Sequence, residues 1–282
     1  DYVSFDRIPG PVLPLIGIPT TAGTGSEVSH AAVLTDEERA IKVSTLSPYL
    51  RPQLAIVDPE LTYTCPPQVS ADSGMDALSH AIEALAATRF SEIDLHVGEL
   101  GAYEGKSPVP DLLADAAIRL IGRHLVTVVR EPNNHAARIG MAQAALLAGL
   151  AFSNAAVALV HAMEYPLGGA VHCSHGAGNA LLLPHVMRYL LPVRAAEYAR
   201  VAECLGENVV GEAPTAAAEK AIAAVDRLRE ACGIPARIRD LGGRPEQLPG
   251  FAAQAFAIKR LMTLTPRLVT EAEILAIYQA AW

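Results

Sequence analysis

The pattern of apolar and polar positions changes its period near Pro66-Pro67. Ahead of that point, short apolar runs are bounded by Pro, Gly and Thr: Leu13 to Ile18 ending at Pro19, Val28 to Leu34, Ala40 to Thr45, and Leu54 to Val57 ending at Asp58-Pro59. Runs of this length between turn residues predict strands, and the first reads as a buried one. Beyond it, apolar residues recur at helical spacing over Ala71 to Ala86, Leu112 to Val129, His135 to Phe152, Ala180 to Leu190, Thr215 to Ala231 and Glu271 to Ala281. The pattern predicts an α/β segment over residues 1–66 and an all-α domain over residues 67–282. Gly98 to Pro110, with its Gly and Pro breakers, reads as a loop insertion. There is no fixed-period repeat and no low-complexity tract.

Composition narrows the class. Of 282 residues 51% are hydrophobic and 18% charged, which suits a buried core and argues against a disordered or fibrous chain. The net charge of -8, with no run of Lys and Arg, argues against phosphate-backbone recognition and hence against a nucleic-acid partner. Ala144 to Val160 is nearly all apolar, but it carries Ser153 and Asn154, is short for a span and runs into His161, so it reads as buried core, with no membrane partner expected. Cys65, Cys173, Cys204 and Cys232 are scattered and read as free thiols of a reducing, cytoplasmic compartment. The chain opens Asp1-Tyr2-Val3, with neither methionine nor an apolar leader.

Three groupings could carry chemistry. Asp76 and His80 stand four apart in a helical stretch, so a carboxylate and an imidazole share one face and could meet on a divalent ion, or form an ordinary surface pair. Val160 to Gly176 places His161, His172 and His175 around a Pro- and Gly-bearing turn, with His161 directly after the most apolar stretch. His175 is expected at a helix start, facing back toward His161. One carboxylate and three imidazoles would compose a zinc or ferrous site. The third grouping is the loop Thr20 to Glu27, where Gly23 and Gly25 permit close backbone approach and the hydroxyls of Thr20, Thr21 and Thr24 stand beside free N–H groups. It is neither a dinucleotide fingerprint nor a P-loop. His30, His96, His124, His135 and His185 have no partner at ligand spacing and read as core or solvated residues.

Taken together, IPTTAGTGSEVS (Ile18 to Ser29), QLAIVDPEL (Gln53 to Leu61), SGMDALSHAIEA (Ser73 to Ala84), the stretch from Phe152 to Tyr189 and the ending IYQAAW resemble the iron-containing, or group III, alcohol dehydrogenase family, which shares its fold with dehydroquinate synthase. The resemblance implies a dehydroquinate synthase-like fold. It implies a metal, Fe2+ or Zn2+, held by Asp76, His80, His161 and His175. It also implies NAD or NADP in a cleft, contacted by Thr20, Thr21, Gly23, Thr24, Ser29 and Lys42. The implied activity is hydride transfer between NAD(P) and a small alcohol or its aldehyde or ketone, in a homo-oligomer. Two departures stand out: Tyr165 takes the place of a second histidine, with His172 reading as structural, and the Gly-Gly-Gly-Ser turn that opens the family's nucleotide-binding region is not present. The chain is therefore expected to keep its metal centre but to hold the cofactor weakly or not at all, with apolar strand surface on Leu13 to Ile18 and Leu54 to Val57 left uncovered. A non-catalytic, partner-binding remnant and a metal-dependent hydrolase or lyase are the rival readings.

Overall fold

A computed structural model describes the chain apart from residues 1, 3, 37–40 and 94–104; for residues 4, 5, 35, 36, 41 and 42 it describes the backbone alone. In the first part, β1 (Ser4–Phe5) runs parallel to β4 (Ile41–Leu46), and β4 pairs antiparallel with β3 (Ala31–Asp36) in a register that sets Ala31 opposite Leu46. A second, two-stranded parallel sheet joins β2 (Ile16–Gly17) to β5 (Leu54–Ala55). The expected strand over Leu13 to Ile18 is thus two residues long, and it is not buried: Leu13 is 86% exposed and Ile16 55%, with Leu54 at 51%. Among the described residues no third strand pairs with this sheet, and Ile16 and Leu54 stay about half exposed.

From Pro67 onward the chain is helical. α1 (Pro67–Ala86) starts on a proline, whose missing N–H is no loss in a first turn, and α2 (Pro108–Arg130) does the same. Pro108 to Pro110 therefore open a helix rather than close a loop; the earlier part of the expected insertion, with His96, lies outside the described residues. α3 (His135–Ala155) is capped by Asn134, whose side chain accepts from the Ala137 N–H. α4 (Leu159–Val171), α5 (His175–Cys204), α6 (Pro214–Ala231), α7 (Leu248–Ala257), α8 (Lys259–Leu264) and α9 (Glu271–Ala280) complete the set.

α1 is the axis of this part, buried on every side from Gly74 to Ala86 and flanked by α2, α3 and α5. Its neighbours approach closely because Ala71, Ala77, Ala81 and Ala84 present methyl groups alone, all fully buried. α3 has the length and composition of a membrane-crossing helix, but 61% of its apolar window is buried among the other helices. The apolar stretch around it breaks at Ala156, which takes a φ of 80° and turns the chain into α4.

The expected Pro- and Gly-bearing turn between His161 and His175 is the principal departure from the sequence reading. Pro166, Gly168 and Gly169 lie inside α4, and the reversal comes only at His172, whose φ of 55° caps the helix in the left-handed region. α5 then starts with Ser174 as cap: its hydroxyl accepts from the Ala177 N–H and donates to Asp72 Oδ2 on α1 at 2.6 Å. Tyr278 on α9 donates to the Met163 carbonyl at 2.5 Å, pinning α4 from behind.

The Thr20 to Glu27 loop seats its glycines on this helical body. Gly25 has φ 60°, and a Cβ there would lie 2.4 Å from the Gly149 Cα of α3. A Cβ on Gly23 would lie 2.5 Å from the Ser73 Cβ of α1. Gly25→Ala, strained in both backbone and packing, should destabilise the chain by about 2–4 kcal/mol in urea unfolding; a change within about 0.5 kcal/mol would mean the loop does not dock on α3.

Candidate metal centre and cleft

Three helices bring the expected ligands to one point. Asp76 and His80 lie one turn apart on α1, His161 in the first turn of α4, and His175 is the first residue of α5. Ligand atoms of Asp76, His80 and His161 all fall within 4.8 Å of one another, and all three residues are buried. His175 completes the arc: its Nε2 lies 3.8 Å from Asp76 Oδ1, against 3.9 Å for His161 Nε2, while its side chain keeps 31% of its surface open. The His80 ring stacks on His161 at 4.8 Å and lies tilted against Phe152 at 4.4 Å.

Carboxylates behind the imidazoles orient them. Glu83 Oε2 lies 2.5 Å from His161 Nδ1, and its other oxygen accepts from the Val160 N–H at 2.7 Å. Glu164, fully buried, pairs in the same way with His175 Nδ1. With an acceptor at Nδ1 the proton belongs there, so each Nε2 turns a lone pair inward. The Asn179 amide nitrogen sits among these acceptors, 2.7 Å from Asp76 Oδ1 and 3.2 Å from Nε2 of both His161 and His175. Its Oδ1 has no hydrogen-bond partner among the described residues. Three imidazoles, two of them oriented through Nδ1, and a buried carboxylate are a donor set that suits Zn2+ or Fe2+.

The electrostatics agree. Burial alone would raise the Asp76 pKa, but His80, His175, His161 and the Asn179 amide outweigh it and hold it at about 2. His80 is pushed down to about 3, by burial first and then by its neighbouring imidazoles, against the opposing pull of Asp76. Tyr165 lies edge-on to His161 at 6.5 Å and stacked on His175 at 6.0 Å; burial lifts its hydroxyl to about 12.

The site floors a cavity of about 420 Å³ whose other walls are Thr24, Ser26, Ser29 and His30 from the loop, Ala31, Val33 and Leu34 from β3, Phe152, Ala156 and Val157 from the α3–α4 corner, and Arg260. Of the expected cofactor contacts, Thr24 and Ser29 thus face the cavity. Thr20 is exposed and Thr21 half-buried ahead of that lining, Gly23 packs on α1, and Lys42 pairs through its backbone with Thr35, its side chain outside the described residues. Thr24 Oγ1 donates to Ser26 Oγ at 3.0 Å, and Ser29 Oγ accepts from the Ala31 N–H at 3.1 Å.

Sequence reading missed Glu83, Glu164, Asn179 and the cavity role of His30. A signal existed for the first three: each follows an expected ligand by three or four residues on its helix, His80, His161 and His175 in turn. The pairing was not legible, since Glu83 orients His161 on another helix and Glu164 orients His175. His30 is 3% exposed and lies 3.1 Å from Arg51 through Nδ1. Of the other histidines, His135 stacks on Tyr63 at 4.0 Å, and His185 has a pKa depressed by burial.

Fold and site define an α/β-plus-helical protein with a buried nitrogen and oxygen donor centre at the floor of a cleft. Comparison with known proteins makes the class specific. The profile described as "Fe-containing alcohol dehydrogenase family, C-terminal" matches residues 70–282, and that described as "Iron-containing alcohol dehydrogenase" matches residues 1–59. The 1,3-propanediol dehydrogenase of Klebsiella pneumoniae is 40% identical over 281 residues, covering 100% of this chain and 68% of that protein. The NAD-dependent methanol dehydrogenase of Bacillus methanolicus is 37% identical, covering 100% and 69%. The solved structure of an alcohol dehydrogenase from Oenococcus oeni superimposes with a TM-score of 0.90 at 34% identity, covering 100% of this chain and 69% of that one. The chain belongs to the iron-containing alcohol dehydrogenase family and spans about two thirds of the length of these relatives.

Buried His30 gives the fold an acid-sensitive term. Burial, then Arg51, then Arg260 depress its pKa from 6.5 to about 4. A depressed histidine stabilises the fold above pH 6.5, and this contribution is lost as pH falls toward about 4, because the unfolded chain takes up the proton first. The urea midpoint of the metal-free chain should fall across that window, and His30→Asn should flatten the slope; an unchanged slope would count against the burial of His30.

Proposed function

We propose that this chain carries the catalytic centre of an oxidoreductase that transfers hydride between NAD or NADP and a small alcohol or its aldehyde or ketone. The observation that carries this reading is the convergence of Asp76, His80, His161 and His175 on the floor of a cavity walled by Thr24, Ser26 and Ser29. In it, Asp76, His80, His161 and His175 hold Fe2+ or Zn2+, while Thr20, Thr21, Gly23, Thr24, Ser29 and Lys42 contact the nicotinamide cofactor. When bound, the ion supplies a Lewis acid that acidifies an alcohol or polarises a carbonyl, and the nicotinamide supplies the hydride acceptor or donor.

The remaining work falls to side chains. Glu83 and Glu164 hold the protons of His161 and His175 at Nδ1, keeping both Nε2 atoms available as donors to a cation. Phe152, Ala156 and Val157 wall the reacting space with apolar surface and exclude water from one side. With its pKa at about 12, Tyr165 keeps its hydroxyl proton at neutral pH and serves as a hydrogen-bond donor rather than a base.

We further divide the chain at Pro66-Pro67 into the trailing part of a nucleotide-binding domain, residues 1–66, and a helical metal domain, residues 67–282. The four cysteines are free thiols, which suits a reducing cytoplasmic compartment, and the uncovered face of β2 and β5 suits a chain that associates with itself.

Metal analysis after purification without added ions should give one divalent ion per chain. His161→Ala should abolish it, and Glu83→Gln should weaken the affinity by about 10- to 100-fold. Metal content indifferent to His161→Ala would overturn the ligand assignment. Fluorescence titration with NADH should give weak binding, at most; a tight complex would mean that the loop from Thr20 to Ser29 holds the cofactor unaided.

A further inference from the structure

Asn179 is a polar side chain inside a helix-packed core, and the four-ligand assignment gives it no part. It stands on α5 one turn after His175 and is 0% exposed. Its amide nitrogen carries two hydrogens and meets three acceptors: Asp76 Oδ1 at 2.7 Å, and Nε2 of His161 and of His175, each at 3.2 Å. Both rings can accept there, because Glu83 and Glu164 hold their protons at Nδ1. The carboxylate takes one amide hydrogen and the two imidazoles share the other.

The opposite end of the same amide is the anomaly. Oδ1 is buried with no hydrogen-bond partner among the described residues, so it has lost water and gained no donor. A leucine of similar size would carry no such loss. The amide must therefore answer to the donor atoms that its nitrogen meets.

Those three acceptors belong to the residues assigned to hold the cation. An N–H hydrogen and a divalent ion are both positive and compete for the same lone pairs, so the amide nitrogen and the ion exclude one another. The carbonyl end has the reverse preference. Turned inward, Oδ1 would face a carboxylate oxygen and two nitrogen lone pairs, which repel it unless positive charge lies among them. The terminal torsion of asparagine is roughly two-fold, so a half turn exchanges nitrogen for oxygen with almost no change of shape and no repacking of the core around it.

We propose that Asn179 is a cation-gated amide: its N–H groups gather Asp76, His161 and His175 when no ion is bound, and a half turn presents Oδ1 as a further oxygen donor to Fe2+ or Zn2+. This rests on the metal assignment above. It accounts for both ends of the side chain, the nitrogen that meets three acceptors and the oxygen that meets none.

The crystal structure of the zinc-loaded chain should place Asn179 Oδ1 at about 2.0–2.2 Å from the ion. An amide nitrogen that still donates to Asp76 beside the bound ion overturns the proposal. Competition for Zn2+ against a chromophoric chelator supplies the second readout. Asn179→Leu, which fills the space and offers neither end, should raise the Kd by about 10- to 100-fold. Asn179→Asp, which offers oxygen but no N–H, should bind Zn2+ at least as tightly as the parent while lowering the urea midpoint of the metal-free chain. An affinity unmoved by Asn179→Leu, or weakened as much by Asn179→Asp, overturns the proposal; if Asn179→Leu does not fold, the crystal structure and Asn179→Asp decide. A parent chain that binds no zinc at Asp76 and His161 defeats the metal assignment and the proposal together, whereas zinc bound there with Asn179 indifferent defeats the proposal alone.

Discussion

The constraint on which the rest of the structure depends is a carboxylate out of contact with water. Asp76 is 2% exposed, and an ionised group so placed costs several kcal/mol unless opposite charge or hydrogen bonds compensate it. The Asn179 amide of α5 donates to it at 2.7 Å, and the ligand atoms of His80, His161 and His175, from α1, α4 and α5, surround it where a bound cation would supply the opposite charge. Locating these partners fixes the relative register of α1, α4 and α5. The same requirement explains the buried glutamates: Glu83 meets the outer nitrogen of His161, which would otherwise be buried unpaired, and Glu164 meets that of the partly open His175.

Small residues solve the second problem, which is to bring the loop from Thr20 to Glu27 to this centre without filling the space between. Gly25 and Gly149 let the loop backbone lie against α3, and Gly23 lets it lie against Ser73 of α1. Thr24 and Ser29 are thereby set on the cavity wall facing the donor atoms. The glycines serve helix packing in the first place; whatever backbone approach they allow a cofactor follows from that seating.

The α/β part contrasts with the helical one. Its second sheet has two short strands and an exposed apolar face, whereas the helical part encloses a continuous core from Ala71 to Ala281. Relatives that the chain matches along its full length are about half as long again, and in this chain the face of β2 and β5 is solvated. The helices, by contrast, are capped and tied to one another, as Ser174 to Asp72 and Tyr278 to Met163 illustrate. The candidate metal centre lies on the helical side.

Sequence by itself determined the change from strands to helices, the helical face shared by Asp76 and His80, and His175 at a helix start, because each depends on periodicity or on spacing within one turn. It misjudged the segment from Val160 to Val171, where Pro166, Gly168 and Gly169 signalled a turn. Burial among neighbouring helices and the pinning of the Met163 carbonyl by Tyr278 sustain α4 through those residues, and local propensity carries neither term. The cross-pairing of Glu83 with His161 and of Glu164 with His175, and the approach of Arg260 and His30 to one cavity, were decided by tertiary structure alone. They join residues from 11 to 230 positions apart, as in Glu164 with His175 and His30 with Arg260, and no period along the chain encodes which helix faces will meet.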